Sequence, residues 1–181
     1  APGGKTFTVA EIMENRGEVV ACDLHAKRAK LVKTGGERLG LGIITARAND
    51  ATVYDESFGK FDKVLCDVPC SGSGVIRRKP EIRFKKPEDL QSLPKIQYRI
   101  AAASAKYLKE NGVLVYSTCT LSRDENENVV KQLMEREGLL PEKLPEELQK
   151  YSADGYSVTL LPGEINSDGF YFARLRKGKA E

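Results

Sequence analysis

The residue types able to do chemistry in this chain fall in a few short stretches: Gly3-Gly4-Lys5-Thr6, Asp23, Asp50, Asp67-Val68-Pro69-Cys70 and Ser117-Thr118-Cys119-Thr120. A glycine turn followed by Lys-Thr can close a phosphate-gripping loop, whose backbone N–H groups cradle a nucleotide. The same turn can lie beneath a different adenosine-bearing cofactor, because glycine lets a ligand approach the backbone closely. A cysteine thiol becomes a strong nucleophile once it loses its proton, and a neighbouring acid or base can handle that proton. Two chemistries are therefore open: nucleotide hydrolysis, and group transfer from a nucleoside cofactor.

Spacing separates them. The first glycine of a phosphate loop would fall ahead of Ala1, so that signature is incomplete here. Val64-Leu65-Cys66-Asp67 could pass for an acidic strand that holds magnesium. Yet Asp23 follows the glycines by about 20 residues, where an acid commonly grips a ribose. Asp67 also runs straight into Pro69-Cys70, and a second thiol, Cys119, waits after the next strand; a hydrolase has no use for two thiols beside its nucleotide. An S-adenosylmethionine site accounts for all of these parts. The glycines approach the methionine moiety, Asp23 accepts the ribose hydroxyls and Asp50 receives the adenine amino group. Singly, each acid is better explained as a loop or cap residue; jointly they are not.

These residues need a scaffold that gathers them, and the hydropathy pattern supplies one. Residues 5–14 read as a helix closed by Asn15-Arg16-Gly17, 18–22 as a buried strand ending at Asp23, and 25–39 as a helix. Residues 42–45 and 61–66 read as further strands, the latter ending at Asp67. A long helix over 88–109 follows, then a strand over 113–116 after Asn111-Gly112. Ser122-Arg123-Asp124-Glu125 matches a capping box and predicts a helix over 122–136. Residues 156–161 and 170–176 alternate apolar and polar around Asn166-Ser167-Asp168-Gly169, the signature of an antiparallel pair. Residues 138–152 read as a surface connection. The sum is an α/β, Rossmann-like fold: a doubly wound, mostly parallel sheet with an antiparallel C-terminal hairpin, one domain over residues 1–181. Ligands in such sheets bind at the carboxyl ends of the strands, which is where the acids, thiols and glycine turn all fall.

Composition is compatible with that fold. The chain has 181 residues and 40% hydrophobic residues, ordinary for a globular domain with a sizeable core. No stretch approaches the roughly 18 unbroken apolar residues of a membrane span. The four cysteines, Cys22, Cys66, Cys70 and Cys119, show no two-residue ligand spacing and have one histidine, His25, for company, so neither zinc nor a disulfide framework is expected. Reduced thiols point to a cytoplasmic protein. Cys22 and Cys66 sit within apolar strand patterns and read as small buried hydrophobes. Net charge is only +3, but Arg77, Arg78, Lys79, Arg83, Lys85 and Lys86 crowd together around Phe84. Such a run is usually a solvated face, and at this charge it does not by itself establish a polyanion partner.

With these stretches in view, "APGGKT", "DVPCSGSG" and "YSTCTLSRDENE" resemble the motifs of the Sun/Nop2 family of RNA cytosine-5 methyltransferases. "GVIRRKPEIRF" is similar to the bacterial Fmu/Sun branch, which modifies small-subunit ribosomal RNA. The resemblance runs through nearly the whole chain in order. It implies that Cys119 is the nucleophile, that Cys70 assists release and that Asp67 contacts the target cytosine. It places Lys5 and Arg28 near cofactor and substrate, and it puts Ala1, Pro2, Gly3, Gly4, Lys5, Asp23, Arg28, Asp50 and Asp67 around S-adenosylmethionine. Arg77, Arg78, Lys79 and Arg83 are the implied RNA contacts. Val68 stands where the family usually has alanine, Asn49 where it has glycine, and Gly163 where a histidine is common. The family also carries a strand before the glycine turn and an RNA-binding region before that, so a chain starting at Ala1 reads as a catalytic-domain fragment, expected to be unstable or inactive alone.

The expected reaction follows from carbon 5 of cytosine being a weak nucleophile. A thiolate adding at carbon 6 enriches carbon 5, with an acid polarising N3; Asp67 would need burial to raise its pKa for that role. Cys119 is expected to have a lowered pKa when cofactor is bound, being close to a helix N-terminus. The rival assignment gives the attack to Cys70, through its Pro-Cys pair. Alternatives to an rRNA enzyme are a tRNA-directed relative and a non-catalytic RNA-binding fragment. The expected partner is RNA, with no membrane and no metal, and the expected state is a monomer.

Overall fold

The computed structural model describes residues 1–164 and 166–178, and it divides into two units, residues 1–51 and 52–181. In the first, α1 (Gly4–Ile12) leads to β1 (Val19–Asp23), α2 (Ala26–Arg38) and β2 (Ile44–Ala48). The two strands are parallel, with Val19 opposite Ile44 and Asp23 opposite Ala48. A parallel pair needs a crossover, and α2 is that crossover. It buries Ala29, Val32 and Gly36, one face at helical spacing. A side chain at Gly36 would press on Ile44 Cδ1 at 3.3 Å, so the glycine lets helix and strand close together. After α1 the chain reverses through Glu14 and Asn15, both at positive φ, and Asn15 ties the turn down by donating to Gly40 O at 3.0 Å.

The second unit is built on one sheet in the order β3 (Phe61–Asp67), β4 (Leu108–Thr118), β7 (Phe170–Lys177), β5 (Leu139–Pro141). β3 and β4 are parallel, with Asp67 opposite Ser117. β7 runs antiparallel to β4, and its other edge takes both β5 and β6 (Ser157–Leu160). The expected C-terminal hairpin is therefore present, and its second strand is interior to the sheet. Short one-turn helices at Ser73–Val75 and Pro80–Phe84 precede α3 (Pro87–Leu90), α4 (Leu93–Ala105) and, beyond β4, α5 (Glu127–Glu137) and α6 (Glu146–Gln149). α4 and α5 pack on one sheet face. From α4, Gln97, Ala101, Ser104 and Ala105 are buried, and from α5, Val129, Val130 and Leu133, against Leu114, Tyr116, Ala173 and Leu175 of the strands. Each fully buried Val or Leu of α5 contributes about 1.5–3 kcal/mol, an upper figure for a compact unfolded chain. No helix among the described residues is long and apolar enough to cross a membrane.

Several expectations shift. The long helix over 88–109 is two helices, because Pro94 sits in the first turn of α4, where its missing N–H costs nothing. β4 starts at Leu108, before Asn111-Gly112. That dipeptide is an irregularity within the strand, with Asn111 at φ 59 and the β3–β4 register shifting between Phe61 and Lys63. Residues 138–152 are not merely a surface connection: they supply β5 and α6, and Leu144 is buried with Val158 and Leu160.

Candidate active site

In the first unit, β1 ends at Asp23 and α2 begins at Ala26, so the carboxylate stands at the carboxyl end of the strand. Its Oδ1 accepts the His25 amide at 3.0 Å, while Oδ2 faces the Ala1 amino group at 3.1 Å and Arg28 Nε at 3.3 Å. Burial pushes the Asp23 carboxyl up, but the His25 amide, the amino group and Arg28 outweigh it, and the net direction is down. Arg28 also donates to Ala1 O at 2.9 Å. The Asn49 amide reaches Asp23 O at 3.0 Å, which sets exposed Asp50 at the neighbouring strand end. Gly3, at φ 124, leads into α1, and a Cβ there would strike the Phe7 ring at 2.5 Å. Gly4 faces open space, α1 carries no side-chain cap and no acid in its first turn, and Lys5 is exposed there. A bare helix N-terminus beside an ionised carboxylate fits a ligand with an anionic end and a hydroxylated sugar, the chemistry of S-adenosylmethionine.

In the second unit, the parallel β3–β4 pair delivers the two thiols together. Cys70 Sγ lies 3.2 Å from Cys119 Sγ, and the Cys119 amide donates to Cys70 Sγ at 3.4 Å. Both are half-buried. The hydrogen bond with Cys119, burial, the charge of Cys119 and, least, that of Glu125 push the Cys70 thiol up, against the opposing Cys119 amide. The net direction for Cys70 is up. Asp67 ends β3, and its Oδ1 accepts from Ser117 Oγ at 3.2 Å. It is exposed, so the burial expected for it is not met.

The loops that carry the thiols are stitched to each other. Val68 N donates to Ser117 O at 3.2 Å, Gly74 N to Cys119 O at 3.0 Å and Leu121 N to Ser73 Oγ at 2.9 Å. Thr120 Oγ1 sits 2.6 Å from Ser71 Oγ and 3.0 Å from Ser73 Oγ. Gly74 is pinned between backbones: a Cβ there would meet Gly169 C at 2.7 Å and Cys119 O at 2.9 Å, as well as Gly169 O. Asn126, fully buried, brackets Cys119 by accepting from Thr118 Oγ1 at 2.6 Å and donating to Thr120 O at 2.9 Å.

Two buried residues here were not read from the sequence as part of the site. Glu125 is only 4% exposed, and its carboxylate accepts from the Ser71 amide at 2.8 Å, Gln97 Nε2 at 2.9 Å and Thr120 Oγ1 at 3.4 Å. Gln97 Nε2 also donates to Pro69 O at 2.8 Å, which leaves its Oε1 buried without a partner. Turning the amide over would set its oxygen against a carbonyl and a carboxylate, so the orientation is fixed by the network. Such an orphan oxygen costs about 1–3 kcal/mol. The Ser122–Glu125 signature misled the reading. Glu125 does not close a capping box: Ser122 to Glu125 form a turn, and the N-cap of α5 is Asn126. The helix end is therefore seven positions beyond Cys119, too far along the chain for the dipole argument made for that thiol.

The basic segment is partly spent on the protein itself. Arg77 reaches Asp168 Oδ1 at 3.4 Å and Arg78 Nε reaches Oδ2 at 2.7 Å, while Asp168 is buried. Lys85 Nζ donates to Ser71 O at 2.9 Å. Lys79, Arg83 and Phe84 are exposed, Phe84 at 80%. Of the other cysteines, Cys66 is buried and pushed up to about 11 by that burial. Cys22, expected to be buried, is exposed, because the end of β1 presents that side outward.

Comparison with known proteins adds the family. The family model described as 16S rRNA methyltransferase RsmB/F matches residues 1–176. The probable ribosomal RNA small subunit methyltransferase B of Bacillus subtilis (strain 168) is 42% identical over 186 residues, covering 98% of this chain and 41% of the relative. The ribosomal RNA small subunit methyltransferase F of Aeromonas salmonicida (strain A449) is 35% identical, covering 98% and 39%. Among solved structures, NSun6 from Pyrococcus horikoshii with SFG superposes at a TM-score of 0.88, with 34% identity over 99% of this chain and 46% of that one. The chain thus spans about two fifths of the length of the curated relatives it matches.

Proposed function

This chain belongs to the 16S rRNA methyltransferase RsmB/F family, and on that premise we propose that it transfers a methyl group from S-adenosylmethionine to carbon 5 of a cytosine in small-subunit ribosomal RNA. The observation that carries the cytosine chemistry is the 3.2 Å approach of Cys70 and Cys119. One thiol would serve a simple nucleophile; a second thiol within hydrogen-bond reach suits a reaction that must also undo its own covalent bond.

S-adenosylmethionine, when bound, supplies an electrophilic methyl group on a sulfonium. Gly3 and Gly4, Lys5, Asp23, Arg28 and Asp50 would hold it, with Asp23 on the ribose hydroxyls; Ala1 and Pro2 complete the set. The solved relative with SFG, an analogue of this cofactor, supports that reading. Cys119 as thiolate forms a bond to carbon 6, and the C5–C6 electron pair becomes available at carbon 5. Asp67, exposed at the end of β3, contacts the pyrimidine edge. Once carbon 5 carries the methyl group, its proton passes to a base and the released pair re-forms the C5–C6 double bond. The Cys119 sulfur leaves with the electrons of its bond to carbon 6. Cys70, the thiol beside it, assists that release. The target base must be unstacked to reach the thiols, and Lys79 and Arg83, exposed after the Cys70 loop, would hold its phosphates.

Trapping tests the assignment. Cys70→Ala should accumulate a denaturant-stable protein–RNA adduct, and Cys119→Ala should form none. The reverse pattern would hand the attack to Cys70, and no adduct in either variant would sink the covalent mechanism.

A further inference from the structure

A buried carboxylate facing three uncharged donors is a poor choice for stability. It retains the desolvation cost of a charge with no cation among the described contacts to offset it, and here it also leaves the Gln97 oxygen orphaned. Departures of this kind from local consistency concentrate where function requires them. Glu125 stands directly behind the thiol pair and touches both loops: the Ser71 amide follows Cys70, and the Thr120 hydroxyl follows Cys119. Gln97 adds Pro69 O, on the other side of Cys70.

We propose that Glu125 is a positioning residue for the two-thiol reaction: its carboxylate locks the Cys70 loop to the Cys119 loop and sets a negative charge beside Cys70. This rests on the covalent cytosine chemistry proposed above. Geometry supplies the lock. The charge acts on the thiol, because a fixed anion behind Cys70 disfavours a second negative charge there. The other titratable groups facing Cys70 are Cys119 at 3.2 Å, Tyr116 from β4, and Lys85, whose Nζ reaches the Ser71 carbonyl. Cys119 acts on Cys70 more strongly than Glu125 does, the Tyr116 hydroxyl is committed to Glu125 O at 2.6 Å, and exposed Lys85 spends its Nζ on Ser71 O.

The test reads the thiols and uses neither RNA nor methyl donor, so its failure and a failure of the methylation reading are separate results. The protein and its Glu125→Gln variant are alkylated with iodoacetamide from about pH 6 to about pH 10, and the labelling rates of Cys70 and Cys119 are compared by peptide mass spectrometry. In the native protein Cys70 should label more slowly than Cys119. In Glu125→Gln that gap should close by about threefold to tenfold, the size of a half-unit to one-unit change in pKa. A Glu125 that only props up the fold would lower Tm and leave the ratio alone; an unchanged ratio in the folded variant overturns the proposal. If Glu125→Gln does not fold, amide exchange in the native protein decides. A Ser71 amide that exchanges slowly supports the lock, and one that exchanges at the free-peptide rate refutes it.

Discussion

Replacing Gly74 by alanine is the sharpest probe of how the thiol loops are held. The residue has ordinary φ, so strain in its own backbone is not the issue. The added methyl would land 2.7 Å from Gly169 C and 2.9 Å from Cys119 O, with Gly169 O also in the way. These are backbone atoms and cannot rotate aside. Overpacking of this kind costs about 1–3 kcal/mol. The separation it forces also strains two hydrogen bonds, Gly74 N to Cys119 O at 3.0 Å and Gly169 N to Gly74 O at 2.8 Å, each worth about 1 kcal/mol. A loss of about 2–4 kcal/mol follows, which for a chain of this size lowers Tm by roughly 5–15 °C. Because the push falls on the Cys119 carbonyl, methyl transfer should fall by more than stability explains, toward about 100-fold for a shift near 1 Å. The assays are a thermal melt and single-turnover methylation of ribosomal RNA at a temperature where the variant is folded. A Gly74→Ala protein within about 0.5 kcal/mol of the native one, and equally active, would refute this account of the loops.

Other outcomes follow from the same contacts. Lys79→Ala and Arg83→Ala should each reduce the salt slope of RNA binding by about 0.7–0.9, whereas Arg77→Ala and Arg78→Ala, paired with Asp168, should chiefly lower Tm; filter binding over a salt series and a melt distinguish them. Cys66 is held at about 11 against 9.0 for a free thiol. The native state therefore binds the proton more tightly, and its stability contribution is whole below about pH 9 and lost as pH rises to about 11, at about 1.4 kcal/mol per unit. Cys66→Val should flatten that part of a stability–pH curve. Finally, S-adenosylmethionine should raise Tm, by the equivalent of about 2.7 kcal/mol at a hundredfold excess over Kd. Asp23→Ala should abolish the rise, and a shift that survives the substitution would remove Asp23 from the cofactor site.

Strand ends were the legible part of this molecule. Asp23, Asp67 and Ser117-Thr118 fall at the ends of β1, β3 and β4 because a short apolar run can go no further once a charge or hydroxyl arrives. Two thiols placed just past two neighbouring parallel strands then have to meet, and they do, at 3.2 Å. Glu125 was hidden because S-x-x-E is a local signal, while its true partners, Ser71 and Gln97, are far away in sequence. Nothing local marks an acid whose donors come from another loop and another helix. The same holds for Asp168, read as a turn residue yet buried against two arginines from the basic run. β5 escaped notice because a three-residue strand is too short to display a period. Pro94 was a readable signal, outweighed by the alanine-rich run that follows it.

β7 lies between β4 on one side and β5 and β6 on the other, yet it comes later in the chain than all three. A nascent polypeptide emerging from the ribosome therefore presents a sheet with its middle missing, and Gly169, just ahead of β7, has not yet met Gly74. Until the last strand slots in, β4 lacks its antiparallel partner and Gly74, bonded to Cys119 O, lacks its tie to Gly169.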